Sequence, residues 1–244
     1  MNNSLLKGFE ILSLFTPHQR EISAATVVEK LGMNTATAHR FLMTLEHAGA
    51  VRSTKRGYFA LGSKIEELGW IAEESDSLPQ VLQPVIDALS AELNESVMVC
   101  RLARHGPTCV AVANSSRAIS VNISIGTMLP LHASAQGKLW LAELTLAERK
   151  AKLSTLPSPV SHVPLPDHAA LDAAIEKVKA QGYALNLGEN EPDIAAVSVP
   201  VKNGAGKTAL TLSVFGMLSR FDEAFQQRAL VQLREAADQI SQNL

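Results

Sequence analysis

Apolar residues recur at helical spacing at the start of the chain. Leu5, Phe9, Leu12 and Phe15 share one face over residues 5–15, and Pro17 ends that run. Ser23 is placed to cap a short helix through Leu31, with Gly32 as its C-terminal stop. Asn34 or Thr35 caps a third helix, in which Ala38, Phe41, Leu42, Leu45 and Ala48 make one apolar stripe before Gly49. The pattern then changes. AVRSTKRGYFALG reads as two short strands about the turn Lys55-Arg56-Gly57, where glycine supplies the positive φ. Three short helices followed by a basic hairpin outline a winged helix-turn-helix.

Residues 64–74 form an acidic helix carrying Ile65, Leu68, Trp70 and Ile71, and the domain boundary falls between Gly62 and Ser77. The expected organisation is a winged helix-turn-helix domain over 1–62, a linker helix over 63–76 and a second domain over 77–244. A helix over 78–93 tolerates Pro79 in its first turn and should kink at Pro84. VMVCRL and TCVAVAN then pair across His105-Gly106, and AISVNISI alternates as a third strand. Helices are expected at about 133–142, 145–153 and 168–181, with the proline-rich loop LPSPVSHVPLP between the last two. Strands at 195–202 and 207–215 flank the turn Asn203-Gly204-Ala205-Gly206, and an amphipathic helix over 221–241 follows. Hairpins with segregated helices define an α+β class built on an antiparallel sheet.

Composition adds a direction to this outline. The 244 residues are 46% hydrophobic and 19% charged, enough to bury a sizeable core. The net charge of −2 conceals an asymmetry. Residues 1–63 hold seven Lys and Arg against four Glu, giving +3, and the remainder holds 15 basic against 20 acidic residues, giving −5. A basic head on an acidic body points to a polyanion partner at the N-terminus alone. No stretch reaches the ~18–20 apolar residues of a membrane span, and MNNSLLKGFEIL lacks the layout of a secretory signal. Cys100 and Cys109 are too few for a disulfide framework and read as two buried thiols. A soluble, cytoplasmic protein without a membrane partner is expected.

Most catalytic motifs fail on inspection. Gly204-Ala205-Gly206-Lys207-Thr208 imitates the end of a P-loop, but Val201 stands where the first glycine belongs and a strand follows where a helix is needed. There is no G-x-S-x-G, and Ser4-Leu5-Leu6-Lys7 lies in a core helix. The seven histidines are dispersed, and His162 with His168 is only a weak metal pair. No catalytic residue, metal or cofactor is therefore expected. The third helix is the stronger signal. Its stripe leaves Thr35, Ala36, Thr37, His39, Arg40, Met43, Thr44 and His47 off the core side, the hydroxyls and cations that a major-groove helix requires. Arg52, Lys55 and Arg56 on the hairpin can reach neighbouring phosphates. These residues, with Ser23 but without Met43 and His47, form the candidate DNA contact set.

At these residues the chain resembles the IclR-type bacterial transcriptional regulators. The resemblance rests on Gly32-Met33-Asn34-Thr35-Ala36-Thr37-Ala38-His39-Arg40-Phe41-Leu42-Met43-Thr44-Leu45, then Gly49, then Tyr58-Phe59-Ala60-Leu61-Gly62. Ala36 departs from it, since the family usually has Ser there. It continues through Gly126-Thr127-Met128-Leu129-Pro130-Leu131-His132-Ala133-Ser134-Ala135-Gln136-Gly137-Lys138, then Gln181-Gly182-Tyr183-Ala184 with Glu189, then Val197-Ser198-Val199-Pro200-Val201. It implies a winged helix joined through a linker helix to a GAF-like, effector-binding domain, with homodimers or homotetramers on double-stranded operator DNA. The effector positions it implies are Ala135 and Gln136, Asn186 in a turn, Ala196, then Ser213 and Phe215. Leu129, Val121 and Trp140 would add an apolar wall, although Trp140 fits the core equally well. Backbone N–H groups at the start of helix 135–142, aided by Ser213 and Asn186, suit a carboxylate. Glu189 is expected to hold structure rather than ligand. The function implied is a ligand-responsive regulator, with repression favoured over activation, that controls a catabolic operon through a small organic acid or aromatic metabolite. The alternative is a small-molecule enzyme or sensor on a GAF-like domain, with the N-terminal helices used for assembly.

Overall fold

The computed structural model describes residues 2–16, 19–74, 78–154 and 167–244. Its contacts divide the chain into two units, Met1–Ser77 and Leu78–Leu244. Pro17, His162 and the whole of the proline-rich loop lie outside the described residues, as does the side chain of His168.

In the N-terminal unit, α1 (Asn3–Leu12) is capped by Asn2, whose side chain accepts from the N–H groups of Ser4 and Leu5. The short strand β1 (Ile22–Ser23) leads into α2 (Ala24–Leu31). Ser23 and Thr26 form a reciprocal capping box there, each side chain accepting from the other's backbone N–H. Asn34 caps α3 (Thr35–His47) by accepting from Thr37 N at 2.8 Å. The strands β2 (Val51–Lys55) and β3 (Tyr58–Leu61) enclose a turn in which Gly57 has φ +80°, a conformation that costs glycine least. The sheet order is β1-β3-β2, so the hairpin gains a third strand through Ile22 opposite Phe59. Ile11, Ile22, Val27, Ala38, Leu42, Val51 and Phe59 make the core.

The expected stripe on α1 needs correction. Leu12 and Phe15 do pack against the core, but Leu5 and Phe9 are each 61% exposed, and the fully buried positions of the helix are Gly8 and Ile11. Both faces carry apolar residues at helical spacing, so periodicity could not choose between them. The last helix of this unit is α4 (Ser63–Glu74).

In the C-terminal unit, α5 (Leu78–Leu93) contains Pro84 and is followed by β4 (Ser96–Leu102) and β5 (Pro107–Ala113). Three helices come next: α6 (Ala135–Ala142), α7 (Leu146–Ser154) and α8 (His168–Gln181). The strands β6 (Ala184–Leu187), β7 (Ile194–Lys202) and β8 (Thr208–Met217) precede α9 (Glu223–Ser241). All pairings of the five-stranded sheet are antiparallel, in the order β5-β4-β8-β7-β6.

Side-chain alternation splits this sheet into two faces. Val97, Val99, Val197, Val199, Leu212 and Val214 pack with residues of α5 and α9. Met98, Cys100, Ala196 and Phe215 pack on the opposite face with Leu129, Ala135 and Leu139. Arg149 is buried and joins α7 to α8 through Asp172 at 3.1 Å and Glu176 at 2.9 Å. Buried Glu95 likewise accepts from Arg220 and pairs with Arg117.

Residues 118–125 do not form the expected strand. The edge of β5 is taken instead by the next stretch: Cys109 N donates to Thr127 O, Gly126 N to Cys109 O and Leu129 N to Pro107 O. Val121 and Ile123 pack inward while Ile119 and Ile125 remain exposed. The apolar alternation therefore reflects a partly buried extended segment without a ladder partner. The turn Asn203–Gly206 closes the β7–β8 hairpin, with Asn203 N donating to Lys207 O. The glycines that imitate a P-loop are thus a strand connection.

Candidate nucleic-acid interface and ligand cavity

The cap of α3 sets where the helix begins, and core packing of Ala38 and Leu42 sets which side faces outward. Ala38 and Leu42 are buried, whereas Thr35, Ala36, His39, Arg40, Met43, Thr44 and His47 are exposed, and Thr37 is partly so. Thr44 donates its hydroxyl to Arg40 O at 2.8 Å, so that oxygen keeps acceptor capacity. Ser23 is occupied by its capping box, which assigns it to holding the helix start. On the hairpin, Arg52, Lys55 and Arg56 are exposed. Lys55 pairs with Glu21 at 2.9 Å and lies 4.4 Å from the Tyr58 ring centre. The hydrogen bond to Lys55 holds the Glu21 carboxyl below its usual range, and the same bond raises Lys55. Arg52 adds a weaker electrostatic pull on the Glu21 carboxyl.

The second site is a cavity of about 320 Å³ on the sheet face opposite α5 and α9. Its size lies at the lower end of small-molecule sites, at about 300–1,000 Å³. Leu129, Ala135, Gln136, Asn186, Ala196 and Phe215 line it, as does Val121. Met98, Ile123 and Ile194 extend the apolar wall, and Asn122, Asn190 and Glu191 supply polar groups. These additional residues fall outside the family motifs; Met98 and Ile123 were reachable from sequence through alternation with Cys100 and Val121, and Glu191 as a carboxylate beside Glu189.

Two expectations change. Ser213 does not line the cavity, because Gln136 stands in front of it. Gln136 donates through Nε2 to Ser213 Oγ at 2.9 Å, Ser213 donates to Ser198 Oγ at 2.8 Å, and Ser198 to Leu212 O at 3.3 Å. Ser213 therefore positions Gln136. Trp140 takes the core alternative instead: it packs against the cluster of Leu131, Leu141 and Ile175 and lines a separate hollow with Leu131, Leu141 and Leu144.

Asn186 lies on β6, opposite Ala196, rather than in a turn. Its Nδ2 donates to Ala133 O, and its Oδ1 accepts from the N–H groups of Gly188 and Glu189, each at 3.2 Å. An aspartate could not make the bond to Ala133. The side chain thus ties β6 to the segment entering α6.

Ser134 caps α6, accepting from Gly137 N at 3.0 Å. Among the described residues no acceptor meets the N–H groups of Ala135 and Gln136, which stand at the positive end of this helix. Lys138, one turn later, is committed to Leu185 O at 2.9 Å and to Glu189. Among the described residues that line the cavity, Glu191 alone is ionisable. A negative head group would therefore meet backbone N–H groups, since no described lysine, arginine or histidine lines the cavity. No grouping of potential metal ligands occurs among the described residues. No described helix is long and apolar enough to cross a membrane.

The outward helix of a helix-turn-helix, a basic hairpin and a separate antiparallel-sheet unit define a DNA-binding transcriptional regulator. Residues 4–55 match the IclR helix-turn-helix domain, and residues 73–242 match the C-terminal domain of bacterial IclR transcriptional regulators. The chain belongs to the IclR family. It is 30% identical over 247 residues to the HTH-type transcriptional regulator XynR of Escherichia coli (strain K12), covering 99% of this chain and 96% of that one. It is 28% identical over 250 residues to the Pca regulon regulatory protein of Pseudomonas putida, covering 99% and 84%. Its fold is similar, with a TM-score of 0.74 and 23% identity, to an IclR homolog complexed with 4-hydroxybenzoate from Microbacterium hydrocarbonoxydans, covering 99% and 98%.

Proposed function

We propose that this chain is a cytoplasmic repressor of a catabolic operon, released from double-stranded operator DNA by a small aromatic carboxylate. In this reading residues 1–62 bind DNA, 63–76 link, and 77–244 form a GAF-like effector-binding and oligomerisation domain. Thr35, Ala36, Thr37, His39, Arg40 and Thr44 enter the major groove, and Arg52, Lys55 and Arg56 reach phosphates. Ser23 supports that face as the cap of the preceding helix.

The observation that carries the ligand assignment is the cavity's polarity: unpaired helix N–H groups at Ala135 and Gln136 face a wall containing Phe215, Leu129 and Ala196. Such a site suits one carboxylate on a flat apolar body. Gln136 and Asn186 complete its polar edge, with Ser213 behind Gln136. The 4-hydroxybenzoate complex of the Microbacterium homolog is in keeping with this class.

Thermal denaturation of the full chain with benzoate, 4-hydroxybenzoate and pyruvate tests the assignment. The aromatic acids should raise the melting temperature more than pyruvate and should release bound DNA. No shift with either aromatic acid at millimolar concentration would overturn the aromatic assignment. Higher reporter expression when the gene is deleted supports repression, and lower expression would reverse the sign.

A further inference from the structure

The two cysteines face each other across β4 and β5. Cys100 and Cys109 are register partners in that antiparallel pair, directly beside the register shift that leaves Val110 unpaired, and are 0% and 1% exposed. The N–H of Cys109 donates to Thr127 O at 2.9 Å, and its carbonyl accepts from Gly126 N at 2.8 Å. Both backbone groups of Cys109 therefore point away from β4. This makes the pair a non-hydrogen-bonded site of the ladder, where opposing Cα atoms lie about 4.5 Å apart. A disulfide spans Cα separations of about 4.4–6.8 Å, so the register already satisfies its reach. Cross-strand partners share a face of the sheet. Both thiols accordingly join Met98, Leu129, Ala135 and Phe215 in one cluster, and those four residues also line the ligand cavity. Met98 connects the two directly, with its Sδ 3.9 Å from Cys100 Sγ.

We propose that Cys100 and Cys109 form a reversible dithiol–disulfide site beside the ligand cavity, oxidised by hydrogen peroxide that enters through that cavity. Cys109 is the attacking group. Its hydrogen bond from Cys100 holds its thiol below the usual range, whereas the same bond and burial push Cys100 up. The Cys109 thiolate attacks one peroxide oxygen, an S–O bond forms and the O–O bond breaks. The departing hydroxide takes the proton released from Cys109 and leaves as water. Cys100 sulfur then attacks the Cys109 sulfenic sulfur. An S–S bond forms, the S–O bond breaks, and the hydroxyl leaves as a second water with the Cys100 proton. Two thiols and one peroxide thus give one disulfide and two waters.

The full chain, treated with hydrogen peroxide, quenched and denatured, provides the test. Free thiols should fall from two per chain to none. Peptide mass mapping should find Cys100 joined to Cys109 with the loss of two hydrogens, and dithiothreitol should restore both thiols. Oxidation of exposed Met43 and Met128 gauges the dose in the same sample. Two intact thiols at a dose that oxidises these methionines would overturn the proposal. So would interchain dimers, or a sulfenic acid on Cys109 that persists while Cys100 stays free. In Cys100→Ser, Cys109 should become labelled by dimedone with no internal bridge, and an unlabelled, reduced Cys109 at that dose would remove it as the attacking group.

Discussion

Arg40 sits on the exposed side of α3, among threonines that share its face. Arg40→Ala should weaken operator binding by about 1–3 kcal/mol and relax preference at one base pair, leaving ligand affinity unchanged. Fluorescence anisotropy on matched and mutated operators checks this, and an even loss across sequences would assign Arg40 to phosphate. Ser213→Ala acts one step behind the ligand. It removes the acceptor for Gln136 Nε2, leaving a buried donor unmet at a cost of about 1–3 kcal/mol. Denaturant unfolding should show that loss, with weaker ligand binding from a less fixed Gln136. Phe215→Ser should shift preference toward smaller acids, as measured by calorimetry. The alternation of β8 made the shared face of Ser213 and Phe215 legible in the sequence. Which of them reaches the cavity was not, because Gln136 comes from 77 residues away and no local period encodes it.

The elements whose ends carry their own chemistry were legible. Ser23, Asn34 and Gly32 mark the boundaries of α2 and α3 through caps that act within a few residues. Elements defined only by a distant partner were missed: β1 has two residues and β6 four, and both exist because β3 and β7 lie alongside. The strand expected over 118–125 failed for the converse reason, since alternation cannot supply a ladder partner. Packing of α6 against the Leu131 backbone leads to a sharper expectation. A Cβ on Gly137 would lie 2.3 Å from Leu131 O, too close for any rotamer to relieve. Gly137→Ala should destabilise the C-terminal unit by about 1–3 kcal/mol and weaken ligand binding, because it displaces the helix start that faces the cavity. Calorimetric unfolding reads the first effect, and unchanged stability would contradict this packing.

Across the whole chain, positive charge is concentrated in the first 63 residues, while the rest carries −5. That division is plain in the amino-acid sequence and agrees with the exposed cations of α3 and the hairpin. The N-terminal unit also exposes Leu5, Phe9, Leu68 and Trp70 at 51–64%. Their exposure supports assembly of two copies, which would present paired recognition helices to half-sites about 34 Å apart. Sedimentation velocity at micromolar concentration should show a dimer or tetramer, with Phe9→Ser and Trp70→Ser shifting it toward monomer, and a monomeric native chain would remove this assembly. The most direct test of the central account is mobility shift of a labelled fragment from upstream of the chain's own gene, with excess unrelated DNA present. The account predicts a retarded complex for the native chain, a weaker one in Arg40→Ala that needs more protein to form, and release by an aromatic carboxylate. Equal retardation of operator and unrelated DNA by both proteins, with or without the acid, would contradict it.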